Sequence, residues 1–291
     1  MVLIREVEEL RVRLLCDNSV RMGMRRIMAE HGFSALLKAE GGAVLFDAGQ
    51  SGKVVISNII ATGEVSGIEK VVLSHGHYDH SGGLLEIKEA FPSITKVYAG
   101  RGAFFRRYKK VRGKTVEIGA PFTEEQVREK GVQIVECASP ILVEDWIAAT
   151  GKVTKTNEFE RPETEFYIYA NNSYAQDPFE DDQGVIIRLK GKGLVIITGC
   201  AHSGIANTVK QAKIMTGEEK VYAIIGGFHL NDASDRRMGK TIDALKEANP
   251  EVLIPCHCTG FSATNEIINA FGAKVWEAGS GALFTLGAKS F

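Results

Sequence analysis

Apolar residues along this chain gather in short runs of strand length, set apart by Gly, Asp, Asn and Ser. Val12 and Leu14 alternate with Arg11 and Arg13, which predicts a half-buried strand over residues 10–16, ended by Asp17-Asn18-Ser19. Residues 21–31 read as a helix with Gly32 as its stop. Residues 33–40 and 43–46 predict a hairpin across Gly41-Gly42. The segment from Asp47 to Gly52 then turns into a helix running to about Ala61; Asp47 reads equally as a capping or turn acid and as an active-site carboxylate. Val71-Val72-Leu73 predicts a buried strand, and Leu84, Ile87 and Phe91 form the apolar stripe of the next helix. A short strand is expected at residues 96–99.

The pattern is least legible from residue 100 to about residue 162, with strands expected near 131–135, 141–149 and 158–169. Arg101, Arg106, Arg107, Lys109, Lys110, Arg112 and Lys114 interleave there with Phe104, Phe105 and Tyr108. A solvated face of an insertion is the plainer reading; an anion-binding flap around residues 101–162 is the functional one. Beyond it the pattern sharpens. A strand pair spans residues 184–189 and 193–197, a helix runs to about Met215, and strands are expected at 221–225, 252–254, 274–276 and 282–286, with helices at 240–248 and 264–271.

The chain has 291 residues, of which 44% are hydrophobic and 24% charged, and a formal charge of −1. That allows one large α/β domain, and the reading adopted is one domain over residues 1–291. Near-zero net charge gives no reason to expect nucleic acid or a membrane as partner. The acidic N-terminus does not resemble a signal peptide, so a cytoplasmic location is the expectation. Five cysteines at irregular spacing argue against a disulfide framework. The composition is silent on oligomeric state.

The candidate chemistry lies in Ser74-His75-Gly76-His77-Tyr78-Asp79-His80, a strand-to-helix loop with three imidazoles and a carboxylate. His75 and His77 point to one side of an extended backbone. Imidazole and carboxylate suit Zn²⁺, Fe or Mn²⁺, and so dense a group can serve two ions. Of the seven histidines only His31 falls away from a predicted strand end; His202, His229 and His257 each follow a later strand. Gathering ligands at the carboxyl ends of strands is how α/β scaffolds build sites. Cys256 and Cys258 flank His257 and, in an extended segment, would face away from it.

His75-Gly76-His77-Tyr78-Asp79-His80 resembles the H-x-H-x-D-H signature of the metallo-β-lactamase superfamily. Leu45-Phe46-Asp47-Ala48-Gly49, Gly82-Gly83, Thr198-Gly199-Cys200 and His257 support the resemblance over nearly the whole chain. It implies a four-layer αββα sandwich of two mixed sheets with a dinuclear site at one edge. It implies His75 and His77 on one metal, and Asp79, His80 and His257 on the other. Cys200 stands where the family carries a bridging aspartate, and its softer sulfur tilts the expectation towards zinc. The histidine usual before the preceding strand is replaced by Asp181-Asp182-Gln183, so His202 is expected to complete the first site, with Asp182 as rival. The subgroup resembled includes a dihydropterin-ribofuranosylaminobenzene 5′-phosphate synthase.

The expected activity is hydrolysis of an ester, lactone or phosphoester by metal-bound hydroxide. Asp79 would orient the nucleophile, and His229 or Tyr78 would protonate the leaving group. A transferase or synthase joining a pterin to a phosphorylated ribosyl aminobenzene is the first alternative, and the basic run favours it. A non-catalytic metal- or redox-sensing module using Cys200 is the second. The partner expected is a small molecule, possibly phosphorylated.

Overall fold

The computed structural model describes residues 1–65, 67–160, 164–170 and 172–287. Two sheets face each other across an apolar core. The first has seven strands in the spatial order Leu283–Leu286, Leu10–Cys16, Ser34–Ala39, Gly42–Phe46, Ile68–Val72, Lys96–Ala99 and Gln133–Glu136. Pairing is antiparallel as far as Gly42–Phe46 and parallel beyond it. The second has six, in the order Val252–Pro255, Val221–Gly226, Gly193–Thr198, Gly184–Leu189, Ile147–Ala149 and Ile141–Glu144. It too is mixed, parallel at the first two pairings and antiparallel after them.

The strands read as nearly continuous apolar runs because both faces of each sheet are covered. In Gly184–Leu189, Val185 and Ile187 belong to the core shared with Val44, Phe46 and Val72 of the first sheet, while Ile186 belongs to the core on the other face. Leu36, Leu45, Val71 and Val97 on the outer face of the first sheet pack beneath helices Gly52–Thr62 and Leu84–Ala90 through Val55, Ile59 and Ile87. Ile196, Ile224 and Leu253 pack beneath Ile205–Thr216, Asp235–Ala248 and Phe261–Phe271 through Val209, Leu245 and Ile267. The result is the αββα sandwich expected from the sequence.

A third sheet is antiparallel throughout, in the order Ser173–Gln176, Phe166–Ala170, Arg106–Val111 and Lys114–Glu117. The basic run is therefore largely a hairpin and not only a solvated face. Arg107 is buried between Asp177 (2.8 Å) and Asp181 (2.7 Å). The strand expected over 158–169 begins at Phe166, and residues 161–163, with the end of the expected flap, lie outside the described residues.

Residues 141–149, expected as one strand, form two, Ile141–Glu144 and Ile147–Ala149, paired antiparallel, and two further expected elements do not form. Residues 21–31 form turns and irregular backbone instead of a helix. Asn58 of the neighbouring helix takes over the backbone there, accepting from Met28 N (2.9 Å) and donating to Met28 O (2.8 Å), which overrides local propensity. Residues 274–276 make a single bridge, Leu253 to Val275, next to a 3₁₀ turn at Gly272–Lys274, in place of a strand. Among the described residues no helix is long and apolar enough to cross a membrane.

Candidate metal centre

The strand Ile68–Val72 runs on into the loop that carries His75 and His77, with His77 on extended backbone. His77 then leads into the one-turn helix Tyr78–Ser81, which carries Asp79 and His80 and returns the His80 ring to 4.3 Å from that of His75, centre to centre. Gly76 is required: a Cβ there would lie 1.8 Å from Ala103 O, and its N–H donates to Asp181 Oδ2 at 2.8 Å. Asp47, buried at φ +61, accepts from Ser74 N (2.6 Å) and Ser74 Oγ (2.7 Å) and holds His80 Nδ1 at 2.7 Å. Asp47 is thus neither a helix cap, a role Ser51 fills, nor a direct donor; it fixes the His80 ring so that Nε2 faces the centre.

The second sheet brings the remaining groups. Gly193–Thr198 ends in Gly199, where a Cβ would stand 2.0 Å from Ser74 Oγ, so glycine lets the two sheet edges touch. Cys200 follows, its Sγ 3.1 Å from His80 Nε2. The His202 ring stacks on Phe179 at 4.3 Å and lies 4.8 Å from His75 and 4.9 Å from His77, centre to centre. His257 opens a 3₁₀ turn after Val252–Pro255. Its N–H donates to Asp17 Oδ1 at 2.8 Å and its Nδ1 meets Asn18 Oδ1 at 3.0 Å. That leaves Nε2 toward His80 Nε2 (3.1 Å) and Asp79 Oδ2 (3.3 Å).

Six of the seven expected metal donors fall into close groups, and His77 adjoins them, its Nδ1 2.9 Å from His75 Nε2. Donors of His75, Cys200 and His202 lie within 4.8 Å of one another, as do those of His80, Cys200 and His257. Asp182 stands behind His202, accepting from Ser203 N at 2.7 Å, so it braces the loop. Tyr78 and His229 both line the cleft, with the His229 ring 4.2 Å from that of His202. Two neighbours escaped the sequence reading. His31 Nε2 lies 3.3 Å from Asp79 Oδ2, beyond any strand-end signal because an irregular segment carries it. Cys258 does not face away: the 3₁₀ turn brings it into a group with Cys200 and His229, also within 4.8 Å.

The electrostatics suit cation binding. Burial holds His75, His77 and His202 well below the usual imidazole range, so each keeps a lone pair at neutral pH. Burial alone would raise Asp79, but His80, His257 and His31 outweigh it and keep the carboxylate ionised. Burial opposes charge on His80 as well, yet Asp79 and Asp47 raise it to about 9. Burial pushes the Cys200 thiol well up; burial acts the same way on Cys258, but hydrogen bonds with Cys200 and His229 hold that thiol below its usual range. His77 Nε2 and His202 Nε2 are buried without a hydrogen-bond partner. Buried polar atoms left so are rare and call for an ion or water. Donors about 2.0–2.1 Å from one tetrahedral ion stand roughly 3.3 Å apart, close to the 3.1 and 3.3 Å separations around His257 Nε2. The residues fit one or more divalent cations. A cleft of about 1050 Å³ opens over them, walled by Tyr78, Lys109, Phe166, Phe261 and Trp276.

Residues 28–257 match the family model of the metallo-beta-lactamase superfamily. An uncharacterized protein of Methanocaldococcus jannaschii is 32% identical over 256 residues, 88% of this chain and 93% of that one. The 7,8-dihydropterin-6-methyl-4-(beta-D-ribofuranosyl)-aminobenzene-5'-phosphate synthase of the same organism is 32% identical over 261 residues, 84% and 85% of the two chains. A solved structure described as a metal-dependent hydrolase of the beta-lactamase superfamily superposes with a TM-score of 0.80 at 29% identity, covering 94% of this chain and 98% of its own. This chain belongs to the metallo-beta-lactamase superfamily.

Proposed function

We propose that this chain is a metal-dependent hydrolase of a small ester, lactone or phosphoester. His75, His77, Cys200 and His202 hold one divalent cation, and Asp79, His80, Cys200 and His257 hold a second. The observation that carries the reading is the pair of donor groups, drawn from both sheets and sharing Cys200, at the floor of a cleft. Zinc suits the sulfur donor best. When bound, such cations supply Lewis acidity and acidify water to a pKa near 7. Asp79, kept anionic by its imidazole neighbours, orients the attacking water. His229 and Tyr78, on the cleft wall, are the candidates for protonating the leaving group. The four-stranded sheet acts as the flap: it sets Lys109 Nζ 4.7 Å over the Phe166 ring on the cleft wall, where it can pair with a phosphate or carboxylate.

Zinc-loaded protein is expected to turn over members of a lactone, ester and phosphodiester panel, and His77→Ala to lose that turnover. Equal turnover by His77→Ala would remove the reading. A synthase acting on a dihydropterin and a phosphorylated ribofuranosyl-aminobenzene is the second reading, supported by the 32% identity to the archaeal synthase and by a cleft large enough for two substrates. Formation of a coupled pterin product, with the hydrolytic panel inert, would favour it. Stoichiometric metal with neither activity would point to a sensing module.

A further inference from the structure

Cys200 takes part in three donor groups, and only two of them serve the proposed hydrolytic site. The third joins Cys200 to His229 and Cys258, with one donor atom of each within 4.8 Å of the others. We propose that Cys200, His229 and Cys258 form a further metal site for a thiophilic cation such as Zn²⁺, Cd²⁺ or Cu⁺. Two sulfurs and one imidazole select such ions over Mn²⁺ or Mg²⁺, which prefer oxygen donors.

Three loops are shaped to make the group. A Cβ on Gly227 would lie 2.5 Å from Cys258 Sγ and 2.3 Å from Gly199 O, so the bare backbone leaves the sulfur its place. Cys258 Sγ reaches Cys200 O at 3.7 Å. His229, with φ +48, and Ala201 and His257, with φ +56 and +50, hold left-handed backbone in the loops that carry the donors. Non-glycine residues persist in such conformations where surrounding structure over-determines them, often at ligand sites. Sulfurs on one tetrahedral zinc stand roughly 3.8 Å apart, given Zn–S bonds of about 2.3 Å. Donors already within 4.8 Å of one another are therefore within about 1 Å of that spacing. The cleft borders all three residues, so an ion has an entry path and a position open to solvent or substrate.

Two consequences follow from the shared sulfur. The site competes with the hydrolytic pair for Cys200. An ion in it also occupies the His229 side chain, a candidate for proton delivery, so surplus zinc would slow turnover. This second consequence rests on the hydrolase reading; the site itself does not.

Cadmium titration of the full chain tests it, followed by thiolate-to-cadmium charge-transfer absorbance with total bound cadmium measured in parallel. Wild type is expected to show absorbance from two thiolates. Cys258→Ser should lose about half of it, with fewer cadmium ions bound, while manganese binding is unchanged. His229→Gln, which keeps both sulfurs, should lower cadmium affinity at this site tenfold or more, and circular dichroism confirms that each variant is folded. Unchanged absorbance in Cys258→Ser together with unchanged affinity in His229→Gln would overturn the proposal. Loss of hydrolytic turnover in His77→Ala is read separately, so either idea can fail alone.

Discussion

Asp47 shows how much a single buried side chain can govern. Its two oxygens take Ser74 N, Ser74 Oγ and His80 Nδ1, so it sets the course of the metal loop and the tautomer of one ligand together. Partners of this kind typically change metal affinity about 10–100-fold when replaced. Asp47→Asn keeps the size, loses the charge and presents an N–H₂ group to at least one donor. A fall in zinc affinity in that range, measured by chelator competition, is expected; unchanged affinity would show that His80 needs no such support. At this scale the sequence was only partly legible. His75, His77, Asp79 and His80 were plain because a strand–loop–helix pattern surrounds them. Asp47 was not, since a carboxylate after a strand fits a turn equally well. His31 and Cys258 were hidden by backbone that departs from the local pattern, one in an irregular segment and one in a 3₁₀ turn.

Among elements, the clearest success of periodicity was the hairpin, paired from Ala35 with Phe46 to Ala39 with Gly42, and the strand pair Gly184–Leu189 with Gly193–Thr198. Their partners are adjacent in sequence, so local pattern and tertiary structure agree. The four-stranded sheet was illegible for the opposite reason. Its inner pair joins Arg106–Val111 to Phe166–Ala170, far apart in the chain, and its anchor is a buried cation that reads as surface charge. Arg107 binds Asp177 and Asp181, and Asp181 also receives Gly76 N–H of the metal loop. Truncating one partner of a buried ion pair typically costs about 3–5 kcal/mol because a charge is left without compensation. Arg107→Ala is expected to lower stability by about that amount in urea unfolding and to loosen metal binding through Gly76. A loss under about 1 kcal/mol would mean that water solvates the two aspartates, against their burial.

At the scale of the molecule, the metal loop ends a strand of one sheet while Cys200, His202 and His257 end strands of the other, so any bound cation staples the two halves of the sandwich. Repetition of histidine at strand ends made this convergence readable before any coordinates; which sheet each strand joined was not. A ligand that binds only the folded state stabilises it, by about 4.1 kcal/mol at a thousand times its dissociation constant. Chelation should therefore lower the melting temperature, and the loss should depend on pH through His80. In the metal-free chain Asp79 and Asp47 raise this imidazole from 6.5 to about 9. Its pairing with them contributes stability that is full below about pH 6.5 and vanishes as pH rises through about 9. Metal must displace that proton, so each pH unit below about 9 should cost at least about tenfold in affinity and about 1.4 kcal/mol of the metal's stabilising effect, and more where the Cys200 thiol, pushed well up by burial, also gives up its proton. The gap in melting temperature between metal-loaded and chelated protein is accordingly expected to widen from pH 6.5 to 9, at fixed free zinc. A gap independent of pH would mean that the cation does not compete for His80 Nε2, and that the staple runs through other residues.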